Sequence, residues 1–129
     1  MSSMIISLEL DGDTPLYEQL CSQIIVGIAS GRLLPGEKLP SVRQLADDLG
    51  INMMTVNKAY AQLKQDGYIV IDRRSGARVN SRFETSDTLS APLEKQLTQI
   101  IAQAKIRGIG EERFASICRS IFQTFNKTT

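Results

Sequence analysis

Between Arg43 and Arg78 the chain gathers side chains whose types and spacing suit contact with nucleic acid. Placing Val56, Ala59, Tyr60 and Leu63 on one helical face leaves Met54, Lys58, Ala61 and Gln65 opposite, flanked by Thr55, Asn57 and Gln62. Asn and Gln can pair with an adenine edge, Lys with guanine or a phosphate, and apolar groups with a thymine methyl. Ala61 is small enough to let a helix sit close to a groove floor. Arg43, upstream and off the apolar face of Val42 and Leu45, could clamp a phosphate. Arg73, Arg74 and Arg78 crowd a short stretch around Gly76. From Asp72 to Arg82 four arginines oppose one aspartate, a local balance of 4 − 1 = +3 in a chain whose net charge is +1. Such clustering matters to a polyanion more than total charge does. Each feature has an ordinary alternative: a solvated helix face, an ion pair of Arg43 with Asp47, and a hairpin whose charges prevent edge pairing. Met53 and Met54 either meet thymine methyls or pack on neighbours.

Other chemistries find little support. The chain has no histidine, so the usual general base, the Ser-His pair and the commonest zinc ligand are missing. Cys21 and Cys118 have no metal-ligand spacing and read as buried, reduced thiols. The carboxylates form no spaced acid/base pair; Glu9, Asp11 and Asp13 simply make the N-terminal segment acidic. No catalytic residue, metal or cofactor is expected. No apolar run approaches the ~20 residues that span a bilayer, and no signal-peptide pattern opens the sequence, so the expected compartment is the cytoplasm. A length of 129 residues with 42% hydrophobic content suits one domain with a short appendage.

Regular elements must hold the reading side chains in place. Thr14-Pro15 reads as an N-cap with proline at the first helical position. Leu16, Leu20, Ile24 and Ile28, beside Tyr17, Cys21 and Ile25, trace an amphipathic helix ending near Ser30-Gly31. Pro35-Gly36 marks a turn before a short strand, Glu37 to Leu39. Val42, Leu45, Ala46 and Leu49 predict a helix broken by Gly50; Asn52 caps a second one running to about Asp66, with Gly67 as its C-cap. Helix, turn and helix make a helix-turn-helix unit. Tyr68 to Asp72 has strand composition, Arg73 to Gly76 turns the chain, and Ala77 to Asn80 returns it as a wing, with Gly76 supplying a positive φ. Met4 to Leu10 alternates weakly, as a short extended segment would.

Further on, Leu89, Leu93, Leu97, Ile100, Ile101 and Ala104 form one helical stripe. Gly108 and Gly110 interrupt it before a second, Phe114, Ile117, Ile121, Phe122 and Phe125. Two short helices carry more apolar surface than a small domain can cover, which favours pairing of two copies over packing back on their own domain. They leave little room for a ligand pocket of several hundred Å³. The expected fold is mainly α: a winged helix-turn-helix domain over 1–82, a linker over 83–88 and a two-helix dimerisation region over 89–129.

The run Leu39-Pro40-Ser41-Val42-Arg43-Gln44-Leu45-Ala46, then Gly50-Ile51-Asn52, Thr55-Val56, Lys58-Ala59-Tyr60, Leu63 and Gly67-Tyr68-Ile69 resembles the GntR family of bacterial transcription regulators. Thr14 to Leu20 and Gly31 to Gly36 fit the same pattern. The short C-terminal part is similar to that of the YtrA subfamily. The resemblance implies a homodimer, paired through its C-terminal helices, on a palindromic double-stranded DNA operator, commonly as a repressor. It carries the family's DNA-contacting arginine onto Arg43, the threonine at the start of the reading helix onto Thr55, the following basic residue onto Lys58 and the wing-tip glycine onto Gly76. Met53-Met54 stand where relatives often have Pro-Asn, so the operator sequence is expected to differ from theirs.

The expected DNA-contacting set is therefore Arg43, Asn52, Met54, Thr55, Asn57, Lys58, Arg73, Arg74, Gly76 and Arg78. The expected dimerisation set is Leu93, Leu97, Ile100, Ile101, Phe114, Ile117, Ile121, Phe122 and Phe125. A transporter operon is the expected kind of target; any small-molecule effector is open. The competing reading is a winged helix that binds proteins without sequence-specific DNA contact.

Overall fold

The computed structural model describes residues 6–126. Its elements are α1 (Leu16–Ala29), α2 (Val42–Leu49), α3 (Met53–Gln65), β1 (Ile69–Asp72), β2 (Gly76–Val79), α4 (Ala91–Ile106) and α5 (Glu111–Asn126). They fall into two compact units that divide between Phe83 and Glu84.

In the first unit, each helix of the helix-turn-helix starts on a side-chain cap. Ser41 accepts a hydrogen bond from the Gln44 N–H and Asn52 from the Met54 N–H, satisfying donors that a first turn leaves unpaired. Gly50 ends α2 at φ +68°, a left-handed conformation that costs a glycine least, and the chain turns there into α3. α1 starts differently from expectation. Pro15 is its N-cap and makes no side-chain bond; the Thr14 carbonyl instead accepts from Gln19 Nε2 at 2.8 Å.

Leu20 and Ile24 of α1, Leu45 and Ala46 of α2, Val56, Ala59, Tyr60 and Leu63 of α3, and Ile69, Ala77 and Val79 of the hairpin are buried together. The helical stripe expected on α3 thus faces this core. β1 pairs antiparallel with β2 in the register Ile69↔Val79 to Asp72↔Gly76. The expected strand at Glu37–Leu39 is reduced to a bridge between Lys38 and Arg78, held by Leu39 N–H to Ala77 O and Val79 N–H to Glu37 O. It lies along the free side of β2 and ties the wing to the body of the domain.

Of the expected extended segment Met4–Leu10, Met4 and Ile5 lie outside the described residues. The rest forms no strand. Two glutamine side chains, one turn apart on α1, hold its backbone: Gln19 meets both the N–H and the C=O of Glu9, and Gln23 those of Ser7. Side-chain amides thus do the work that a neighbouring strand would do, and an alternating hydrophobic pattern does not register that.

The second unit consists of α4 and α5. Ser90 caps α4 by accepting from the Leu93 N–H, and the chain turns through Gly108 into α5. No residue in either helix is buried. Among the described residues, no helix is long and apolar enough to cross a membrane.

Candidate nucleic-acid interface

The reading helix α3 is fixed from behind. The Tyr60 hydroxyl donates to the Pro40 carbonyl at 2.7 Å, and burial pushes its pKa above the ordinary phenol value. The Cys21 thiol reaches the Ala59 carbonyl at 3.5 Å, linking α1 to α3. Burial first, then the nearby Asp66 and Glu18 carboxylates, raise the thiol's pKa, which favours its protonated form. Both cysteines are free and half-buried rather than fully buried as expected. Their helices have one apolar and one open face, and a thiol near the boundary stays partly wet.

With one face of α3 anchored, the other is open. Met54 is 75% exposed and Asn57, Lys58, Ala61, Gln62 and Gln65 are exposed, whereas Thr55 is half-buried. Lys58 Nζ lies 4.0 Å from the centre of the Tyr17 ring on α1. Asn52 is exposed, but its Oδ1 is already engaged at 2.8 Å as the cap of α3. On α2, Arg43 is exposed, and the i, i+4 bond there joins Gln44 to Asp48. Among the described residues, Arg43 has no ion-pair partner, so the pairing with Asp47 does not form.

Two grooves border this face. One, of about 730 Å³, is lined by Pro15, Leu16, Tyr17, Met54, Thr55 and Lys58 and brings α1 to the start of the reading helix. The other, of about 360 Å³, is lined among others by Ser41, Asn57, Ala61, Lys64, Ile71 and Gly76, and joins α3 to the wing. Asn57 and Gly76, nineteen positions apart in sequence, thereby share one groove. Sequence reasoning missed Tyr17 and Lys64. Lys64 falls off the face opposite the core stripe, and Tyr17 looks like one more apolar member of the α1 stripe.

The wing arginines separate into two kinds. Arg73 and Arg74 are exposed at the turn. The Asp72 carboxylate braces that turn by accepting from the Arg74 N–H at 3.0 Å and the Ser75 hydroxyl at 3.2 Å. Those two bonds, with the Arg78 charge, hold its pKa below the usual carboxylate value. Gly76 has φ +74°, the conformation expected of it. Arg78 instead is half-buried and donates to the Gly36 carbonyl at 3.2 Å, bracing the wing against the segment before α2.

In the second unit the expected stripes are largely uncovered. Leu93 (46%), Ile100 (54%), Ile101 (44%), Ile121 (51%) and Phe122 (71%) are exposed, and Leu97, Phe114, Ile117 and Phe125 are half-buried. The elbow between the helices forms an open groove of about 700 Å³ lined by Ile101, Ala104, Ile109, Phe114, Ala115 and Cys118, among others. That is more room than two short helices were expected to leave.

Comparison with known proteins agrees with this architecture. The profile described as "Bacterial regulatory proteins, gntR family" matches residues 16–79. The HTH-type transcriptional repressor YtrA of Bacillus subtilis (strain 168) is 33% identical over 111 residues, covering 84% of this chain and 85% of that protein. Among solved structures, a transcriptional antiterminator from Listeria monocytogenes EGD-e superposes with a TM-score of 0.82 at 26% identity, over 96% of this chain and 94% of that one. YtrA from Sulfolobus acidocaldarius, a GntR-family transcription factor, does so at 0.64 and 42% identity, over 79% and 98%. The AraR DNA-binding domain, solved in complex with operator ORE1, matches at 0.50 and 27% identity, over 58% and 92%. These relatives are transcription proteins, not enzymes. The winged helix-turn-helix at the front of this chain and the short helical part behind it make it a member of the GntR family of bacterial transcription regulators, similar to the YtrA proteins.

Proposed function

We propose that this DNA-binding regulator acts in the cytoplasm as a homodimeric repressor of a palindromic operator, with a transporter operon as the kind of target. In this reading residues 1–82 contact DNA, 83–88 link, and 89–129 pair two copies; residues 1–5 and 127–129 lie outside the described residues. The observation that carries it is the open polar face of α3 beside exposed Arg43 and the Arg73-Arg74 wing tip, all mounted on one buried core. α3 would enter the major groove, Arg43 would hold the phosphate backbone, and the wing would lie alongside. Two copies would place their reading helices about 34 Å apart, one helical turn of DNA.

Support for pairing comes from the exposed stripes on α4 and α5, which surround apolar side chains with water unless another surface covers them. Footprinting over inverted repeats near the gene's own promoter tests the operator. Arg43→Ala and Lys58→Ala should each weaken binding by about 1–3 kcal/mol and lower the salt slope by about 1, with the fold retained. Unchanged binding in both variants would reject these contacts, and failure to bind any operator-containing duplex at low salt would favour the protein-interaction reading.

A further inference from the structure

The Lys58–Tyr17 contact is a feature of the reading face that the helix-turn-helix architecture does not require. A lysine on an open helix face normally carries a flexible four-carbon stem, which any DNA contact must first order. Here the ammonium lies 4.0 Å from the centre of an aromatic ring, within the range where the ring's negative face attracts a cation. The ring is no loose surface partner. Tyr17 packs half-buried against the core, and the Cys21–Ala59 bond ties its helix to α3 one turn further on. Among the described residues its hydroxyl makes one long contact, 3.4 Å to Glu18 Oε1, so one side of the ring rests on the core and the lysine ammonium sits over it. Tyr17 and Lys58 also line the same groove as Met54 and Thr55, at the start of the reading helix.

We propose that Tyr17 is a positioning residue for DNA recognition: its ring holds the Lys58 ammonium over the Met54–Thr55 end of the groove, so that the charge meets DNA already ordered. This rests on the reading of Lys58 as a DNA contact. The ring is the active part and the hydroxyl is not. Removing the ring therefore lowers affinity without removing a charge, and the salt slope stays where it was.

The test is a double-mutant cycle on the full chain, using a duplex that the protein selects from a randomised library. Tyr17→Leu should weaken binding about two- to fivefold at unchanged salt slope, Tyr17→Phe should bind as the unmodified protein does, and Tyr17→Leu should add nothing in a Lys58→Ala background. In the free protein, the Lys58 ε-methylene proton resonances should be shifted upfield by the ring, and Tyr17→Phe should keep that shift. The proposal is overturned if Tyr17→Phe loses as much affinity as Tyr17→Leu, if the Tyr17→Leu loss persists without Lys58, or if the upfield shift is absent. If Lys58→Ala leaves both affinity and salt slope unchanged, the Lys58 contact itself is wrong and the proposal falls with it. If Lys58→Ala weakens binding but the cycle shows no coupling, only the role of Tyr17 is lost.

Discussion

The two units of this chain place similar apolar side chains in opposite environments. In the first, residues from three helices and a hairpin converge, and Leu20, Ile24, Val56, Ala59 and Val79 lose all contact with solvent. In the second, two sixteen-residue helices carry equally regular stripes, yet no residue in them is buried and Phe122 remains 71% exposed. The difference lies in the number of surfaces available. A third element can cover the seam between two helices, whereas two helices alone leave their outer apolar faces in water. Periodicity announces that a face wants covering. It says nothing about what covers it.

Substitutions in the two units should therefore differ in what they disturb. Leu20→Ala should destabilise the first unit by about 2–5 kcal/mol in urea unfolding, because the side chain is fully enclosed; a loss below ~1 kcal/mol would mean that this core is not the self-supporting one. Phe122→Asn should leave helix content at high concentration intact but weaken self-association about tenfold or more, read by sedimentation equilibrium. Unchanged association would show that the exposed α5 face is not where copies meet. Tyr60→Phe, which deletes the bond to the Pro40 carbonyl, should cost the first unit about 0.5–1.5 kcal/mol and leave self-association untouched.

The smallest effect concerns the wing tip. Asp72 has its pKa lowered in the folded state, so its contribution to the turn is complete above the ordinary carboxylate range and is lost as pH falls through the lowered value. The Arg74 amide resonance should therefore move in acid, below the usual carboxylate range, and Asp72→Asn should abolish that movement. An Arg74 amide titrating at the ordinary carboxylate value would show that the turn is not braced this way.

Local signals read directly into structure wherever the deciding interaction was short in sequence. Gly50 and Asn52 end one helix and cap the next with atoms two to four residues away, and both act as their types suggest. The α3 stripe names its own buried face because period and burial are the same fact seen twice. Thr14 misled because an N-cap depends on which residue's carbonyl opens the helix, and here Pro15 does so. Arg78 shows a different limit of local reading. Charge composition cannot tell an arginine at a turn from one whose partner is a carbonyl forty-two residues away.

Residue type and near-neighbour spacing were enough for the order of the helices and the wing hairpin, the capped helix-turn-helix, the positive φ at Gly76 and the family. Long-range packing settled the rest: Gln19 and Gln23 hold the N-terminal backbone, Asn57 and Gly76 share a groove, Arg78 braces the wing while Arg73 and Arg74 stay open, and Lys58 rests on Tyr17. Those relations join side chains separated by long stretches of chain. No local rule ranks one distant partner above another; the packing of the shared core does.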